Sequence, residues 1–259
     1  MNVLERHEYI LQQLSQHGRV EVKDLVEFFN TSEVTVRADL RKLEKESKLK
    51  RFHGGAQSLV SLPHSTRDFE NEVKLERRYK INASAKDQIA AAAAEFVRPG
   101  NSIILDSGST THLVANHIAE NGEVIAITNN LPAAQALADA PNTTLVICGG
   151  TYRVKTKSLH GAKAEQCLDG VSADILFIGA DGIDPKKGIT TFNEGYTISG
   201  VMASCAKKII AVVDSTKVGR VGFNSVLPTD KIDVLVTDKD INLDCVRDFE
   251  ELGVEVVLV

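Results

Sequence analysis

What this chain of 259 residues lacks narrows its class before any motif is read. It has only four cysteines, Cys148, Cys167, Cys205 and Cys245, so widely scattered that no C-x-x-C pair forms. That spacing argues against a zinc ribbon and a disulfide framework, and the expectation is reduced, buried thiols with no bound metal and no cofactor. No stretch approaches the ~20 apolar residues of a membrane span, and Met1 to Glu8 hold no signal-type apolar run. The expected setting is therefore cytoplasmic and away from membranes. Internal repeats and low-complexity tracts are absent as well.

A surplus of positive charge is also missing, since the net charge is -5. The average hides an asymmetry. Between Thr35 and Ala56 the residues Arg37, Arg41, Lys42, Lys45, Lys48, Lys50 and Arg51 face only Asp39, Glu44 and Glu46, a local +4, which leaves -9 for the remainder. A basic stripe on an acidic chain suits a small nucleic-acid module carried by a domain with another task. Length allows this division, and a hydrophobic content of 43% is enough for a real core in each part.

Periodicity divides the chain in the same way. Residues 1–57 read as three short helices and a hairpin, mainly α. Ile10, Leu11 and Leu14 mark the first helix, and Leu25, Phe28 and Phe29 mark the second. A third is capped by Thr31 or Ser32 and buries Val36, Leu40 and Leu43, with Glu33, Arg37 and Arg41 on another face. Leu49 to Gly55 is a candidate wing. Residues 58–74 lose periodicity and read as a linker. From 75 to 259, apolar strands alternate with helical stretches, beginning with an alanine-rich helix around Ala83 to Phe96. The strand candidates are Ser102–Leu105, Glu123–Ile127, Thr144–Ile147, Ile175–Ile178, Ile209–Val213, Val234–Val236 and Val254–Val259. Such alternation predicts an α/β domain with a mostly parallel sheet and helices on both faces.

The span Val22 to Leu43 has the parts of a winged helix-turn-helix: a compact helical core, a tight turn and a helix with polar residues along one side. Arg37 and Arg41 lie one turn apart, and an arginine there can pair with guanine or hold a phosphate. The bland alternative is a solvated surface helix beside an ordinary hairpin. The run Ser32-Glu33-Val34-Thr35-Val36-Arg37-Ala38-Asp39-Leu40-Arg41-Lys42-Leu43-Glu44, followed by Arg51-Phe52-His53-Gly54-Gly55-Ala56, resembles the DNA-binding signature of the DeoR family of bacterial sugar-metabolism repressors. That resemblance implies a repressor that contacts double-stranded operator DNA through Ser32, Glu33, Thr35, Arg37, Arg41, Lys42, Lys50, Arg51 and His53. Helix-turn-helix proteins read repeated half-sites, so a homodimer or homotetramer is expected.

Downstream, Ile103 to Thr111 is a strand running into a small hydroxyl-rich turn and then a helix, an arrangement that aims free amides at an anion. No Walker lysine follows, which argues against a nucleotide triphosphatase. Other strand ends carry Thr128-Asn129-Asn130, Gly149-Gly150-Thr151-Tyr152-Arg153 and Gly179 to Asp184, with Thr190 to Glu194 and Asp214 to Lys217 further on. Ligands bind beyond the carboxyl ends of strands in an open parallel sheet, so these turns are expected to converge. Each aspartate has an alternative role as a helix cap or turn former, and Lys217 as a solvated charge. The order of these segments is similar to that of DeoR-family sensor domains, whose fold resembles ribose-5-phosphate isomerase. The resemblance implies that Ser107, Gly108, Ser109, Thr110 and Thr111 hold an effector phosphate, with Asp106, Thr128, Asn129, Gly149, Gly150 and Arg153 also in the effector site. Asp181, Asp184 and Glu194 would face sugar hydroxyls, and Lys217 would take the isomerase's substrate-lysine position. That enzyme's Lys-Gly-Gly-Gly run is replaced here by Gly188 to Glu194, and a proton shuttle needs a positioned base. The expectation is binding without turnover, set against a phosphosugar isomerase with an appended helical domain, or an activator in place of a repressor. Within the family, Gly188 to Thr197 is most similar to the hexitol branch, which points to galactitol.

Overall fold

The computed structural model describes residues 3–17, 19–46, 48–52, 54–58, 74–120, 122–191, 198–222 and 224–259. The chain divides into two compact units, Met1–Asn71 and Glu72–Val259. Most of the segment expected as a linker, 59–73, lies outside the described residues, as do His53 and Glu194.

The first unit contains helices α1 (Val3–His17), α2 (Val22–Phe29) and α3 (Glu33–Lys45) and strands β1 (Arg19–Glu21), β2 (Leu49–Phe52) and β3 (Gly55–Ser58). The strands pair antiparallel in the order β1-β3-β2. Ile10, Leu14, Leu25, Val36, Leu40, Leu43 and Leu49 form its core. The α2–α3 turn is short because Asn30 takes a left-handed conformation (φ 47°) to end α2 and Ser32 starts α3, its hydroxyl accepting the Thr35 amide at 3.2 Å. Asp39, on the inner face of α3, is buried and accepts from Arg6 Nε at 2.7 Å, and His7 Nε2 lies 3.1 Å from its other oxygen. This charged cluster ties α1 to α3. Phe28 departs from expectation. It is 56% exposed, stacked on Tyr9 at 4.1 Å between ring centroids, because the face of its helix that reaches the core carries Val22, Leu25 and, in part, Val26 and Phe29.

The second unit is built on seven strands that are all parallel, ordered β15-β14-β12-β9-β4-β5-β6. Their ranges are β4 (Ser102–Leu105), β5 (Ile125–Thr128), β6 (Thr144–Ile147), β9 (Ala173–Ile178), β12 (Ala206–Val212), β14 (Val234–Thr237) and β15 (Glu255–Leu258). Alternate residues of the inner strands enter different cores, as the pleat requires. Ile103, Leu105, Ile175, Phe177, Ile210 and Val212 meet one layer, formed by helices α5 (Ala83–Ala94), α6 (Ser109–Ala119) and α7 (Leu131–Ala138). Ile104, Leu176, Ile178 and Ala211 meet the other, which includes α8 (Ala162–Gln166), α9 (Ile198–Ser204) and α10 (Leu243–Glu251). Phe177 and Phe249 are fully buried, each contributing about 1.5 to 3 kcal/mol by burial. A short helix α4 (Leu75–Lys80) precedes α5. Smaller antiparallel pieces are the hairpin β7 (Thr151–Arg153) and β8 (Ser158–His160), and the sheet β10 (Gly182–Asp184), β11 (Gly188–Thr191) and β13 (Asn224–Leu227).

The expected buried cysteines need correction. All four thiols are free, but only Cys148 is buried; Cys205 and Cys245 are half-buried, and Cys167 is exposed because it ends the short helix α8 on its solvent side. No described helix is long and apolar enough to cross a membrane.

Candidate functional sites

On α3 the helical period turns Val36, Asp39, Leu40 and Leu43 inward and leaves Val34, Ala38, Arg41 and Lys45 pointing outward, with Arg37 on one flank and Thr35 and Lys42 on the other. Val34 is 75% exposed, an apolar side chain placed among polar ones. Several candidate residues already have local partners. Ser32 caps the helix, and its hydroxyl lies 2.9 Å from that of Thr35. Glu33 accepts from Arg37 Nη2 at 2.7 Å. Arg51 gives its backbone amide to Glu44 at 3.0 Å and its Nε at 2.8 Å, and these bonds hold the Glu44 carboxyl below its ordinary pKa. That bidentate contact pins the β2–β3 wing to α3. Arg41 and Lys42 are exposed, and Lys50 lies on β2.

In the second unit, strand order decides where a crevice opens. The chain runs outward from β4 through β5 to β6, then returns beside β4 as β9 and runs outward the other way. The connections leaving β4 and β9 therefore part, and the gap between them is the switch point where open α/β sheets bind ligands. Asp106 stands there, fully buried, its amide donating to Phe177 O of β9 at 3.0 Å. Burial pushes its carboxyl up to about 6, although the Ser199 hydroxyl donates to it at 2.8 Å and the Ser107 amide at 2.7 Å. The following helix, α6, begins at Ser109 with no side-chain cap, so its first-turn amides have no acceptor in the helix. Ser109, Thr110 and Thr111 are buried around that end.

The rest of the loop is set from β5. Thr128 Oγ1 donates to Leu105 O at 2.6 Å, and Asn130 Nδ2 donates to Gly108 O at 3.1 Å. Asn129 Nδ2 donates to Leu159 O at 3.0 Å, docking the β7–β8 hairpin, while its Oδ1 is buried with no protein partner. Gly150 turns the chain into that hairpin at φ 122°, where a Cβ would lie 2.5 Å from His160 O. Gly149, Gly150 and Arg153 are thus gathered beside Asn129. His160, hydrogen-bonded to Ser158 at 2.7 Å, is held neutral by burial, its pKa lowered to about 4.

Asp181, just beyond β9, accepts from Thr191 Oγ1 at 2.8 Å and pairs with Arg78 at 3.3 Å. Lys217 is close enough to Asp181, Asp214 and Arg78 to feel all three, and burial lowers its pKa. Asp214 accepts from Asn82 Nδ2 at 2.9 Å. Asp106, the Ser107–Thr111 loop, Asp181 and Lys217 therefore share one region. Asp184 serves elsewhere, in the β10–β11 turn, where its carboxylate accepts the Lys186 and Lys187 amides at 2.9 and 3.1 Å. This is the turn-former role held open for each aspartate. Sequence reading missed Arg78, Asn130 as the loop's anchor, Ser199 and the buried Lys86. Among the described residues no cluster of metal-ligating side chains occurs.

Comparison with known proteins reaches both units. Residues 6–61 match the DeoR-like helix-turn-helix domain, and residues 81–239 match the DeoR C terminal sensor domain. The chain is 38% identical, over 98% of its length and 93% of its relative's, to an Escherichia coli O157:H7 protein named as an aga operon transcriptional repressor. It is 32% identical to the regulator GlpR of Haloferax volcanii, over 98% of this chain and 96% of that one. Identity to GolR of Listeria innocua serovar 6a is 30%, over 97% of each. Among solved structures, ribose 5-phosphate isomerase A of Methanocaldococcus jannaschii aligns at 22% identity over 53% of this chain and 55% of its own, with a TM-score of 0.40.

Proposed function

Since the chain belongs to the DeoR family of sugar-operon transcriptional repressors, we propose that a phosphorylated sugar or sugar alcohol, bound at the β4–β9 switch point, releases it from operator DNA. The observation carrying this reading is the uncapped start of α6 beside buried Asp106, with Lys217 and Asp181 in the same region. Loop amides and Lys217 suit a phosphate, and a carboxylate suits sugar hydroxyls. The sensor binds without turnover. On the DNA side, Arg41 and Arg37 reach base edges or phosphates, and Val34 meets a thymine methyl group. The protein acts as a homo-oligomer on repeated half-sites, its two units joined by a linker over 58–74.

Relatives of 30 to 38% identity carry different regulator names, so they do not select a sugar. Galactitol phosphate is the first effector to try, on the likeness of Gly188 to Thr197 to the hexitol branch. Thermal-shift screening of hexitol and ketohexose phosphates should raise the melting temperature with one of them. The same compound should release the protein from operator DNA in a gel shift, through a coupling of about 1 to 3 kcal/mol. If no phosphosugar shifts the melting temperature, this effector class is wrong. Efficient isomerisation of a pentose or hexose phosphate would overturn the sensor reading in favour of an enzyme.

A further inference from the structure

Resting on the reading that the crevice takes an anionic sugar, we infer that Arg78 of helix α4 is an effector-contacting residue, and that ligand binding exchanges its pairing with Asp181 for the ligand's anionic group. Helix α4 lies upstream of the segment that matches the sensor domain, which begins at residue 81. A helix of six residues is too short to persist by itself, so its position is set by what it touches. Leu75 is buried, and its amide donates to Lys155 O at 3.0 Å. At the other end, the buried Lys86 ammonium donates to Arg78 O at 2.7 Å and Ile81 O at 2.8 Å, a cation on the carbonyl end of the helix. Tyr79 sets its ring edge against His112 of α6, with centroids 5.3 Å apart.

These contacts place α4 beside the ligand loop as well as beside Asp181. His112 is three residues beyond Ser109, at which α6 begins, and Arg78 reaches Asp181 at the end of β9. The Arg78 and Asp181 side chains are 25% and 13% exposed, so the pair is partly withdrawn from water. Three polar atoms nearby, Tyr79 Oη, His112 Nδ1 and Asn129 Oδ1, are buried without a protein partner, and Asn129 itself is completely buried. Buried polar atoms left in this state are where a ligand or ordered water binds. Burial holds His112 below its ordinary pKa and raises Tyr79 to about 12, so both rings are neutral hydrogen-bonding groups near neutral pH.

A phosphate presents more charge to a guanidinium than one carboxylate does and accepts two parallel hydrogen bonds from it. When Arg78 turns to that group, Asp181 is released to accept from sugar hydroxyls, so one exchange serves both ends of the ligand. The exchange acts on the helix that opens the second unit, immediately after the segment leading from the DNA-reading unit.

The test uses the full chain as wild type, R78A, R78K, D181N and the R78A/D181N double variant, with calorimetric titration of galactitol 1-phosphate, fructose 6-phosphate and inorganic phosphate. R78A should weaken whichever phosphosugar the wild type binds by about tenfold or more, the scale of one charge-assisted contact, with R78K restoring part of the loss. Inorganic phosphate has no sugar hydroxyls and isolates the anion contact. D181N, which no longer competes for Arg78, should bind it more tightly than wild type, and the gain should vanish in the double variant. Phosphosugar binding by R78A within about twofold of wild type would overturn the assignment of Arg78 alone, as would a D181N gain that survives in the double variant. If the wild type binds neither phosphosugar, the effector reading fails and this inference falls with it.

Discussion

In the first unit the outward-facing charges are near neighbours in sequence, Glu33 with Arg37 four residues apart and Glu44 with Arg51 seven apart. In the second, Asp106 meets Ser199 across 93 residues and Asn82 meets Asp214 across 132. The first surface follows from a helical repeat that a reader can count. The second exists only because strand order brings separate strand ends together. They differ in solvation too: a DNA surface must stay exposed to meet phosphates and base edges, whereas the crevice uses side chains withdrawn from water, where one charge acts more strongly.

The largest expected effect tests whether the first unit is held by local rules alone. Asp39 is 7% exposed and accepts from Arg6, itself 12% exposed, so Asp39→Ala removes the carboxylate that ties α1 to α3 in a nearly closed site. A loss of about 3 kcal/mol is expected, read as a lower denaturant midpoint for the first unit with no change in phosphosugar binding by the second. An unchanged midpoint would show that the cluster contributes nothing. Next comes Arg41→Ala, which should weaken operator binding by about 1 to 3 kcal/mol in a gel-shift titration while leaving the melting curve in place. Full retention of operator affinity would remove Arg41 from the reading surface.

Acid titration sharpens the comparison from the other side. Asp106 rises from 3.8 to about 6 in the fold, so its proton is held more tightly there and stability falls as pH climbs through that interval. His160 drops from 6.5 to about 4, so stability is full above 6.5 and falls as pH descends toward 4. The two trends oppose each other between about pH 4 and 6. In Asp106→Asn, whose amide can still meet Ser199 and the Ser107 amide, the loss of stability from pH 6.5 to 4 should therefore be steeper than in wild type. A matching slope in the two proteins would contradict this. The smallest effect belongs to Glu33→Gln, which breaks an exposed i,i+4 pair and should cost only about 0.3 to 0.5 kcal/mol. A larger loss on chemical denaturation would mean that the outer face of α3 is structural as well.

How much was legible follows from the same difference. All seven strand segments of the large sheet were recognisable as short apolar runs, and in inner strands such as Ile175 to Ile178 the run is continuous because both faces are buried. Arg37 and Arg41 could be placed on α3 from spacing alone, with Ser32 one of two possible caps. Arg78 could not be distinguished from a solvated charge, since its partner Asp181 lies in a different strand connection. Nothing in the alanine-rich helix marks Lys86 for burial, and only the docking of α4 gives its ammonium two carbonyls. Phe28 shows that periodicity identifies an apolar side of a helix but does not say whether anything covers it. Asp184 was grouped with Asp181 on the family resemblance, yet the hairpin between β10 and β11 turns its carboxylate onto its own backbone.

By itself the sequence determined the division into a helical unit bearing a basic stripe and an acidic α/β unit, the faces of α3 and the presence of a hydroxyl-rich turn after β4. Each of these depends on residues within a few turns or one strand of each other, where backbone geometry fixes the outcome. Tertiary structure decided that β9 lies next to β4, that Asp106 is buried, and that Arg78 and Lys217 gather around Asp181. Those outcomes depend on strand order and helix docking, which are set by how large apolar faces pair, and no local pattern encodes a pairing partner.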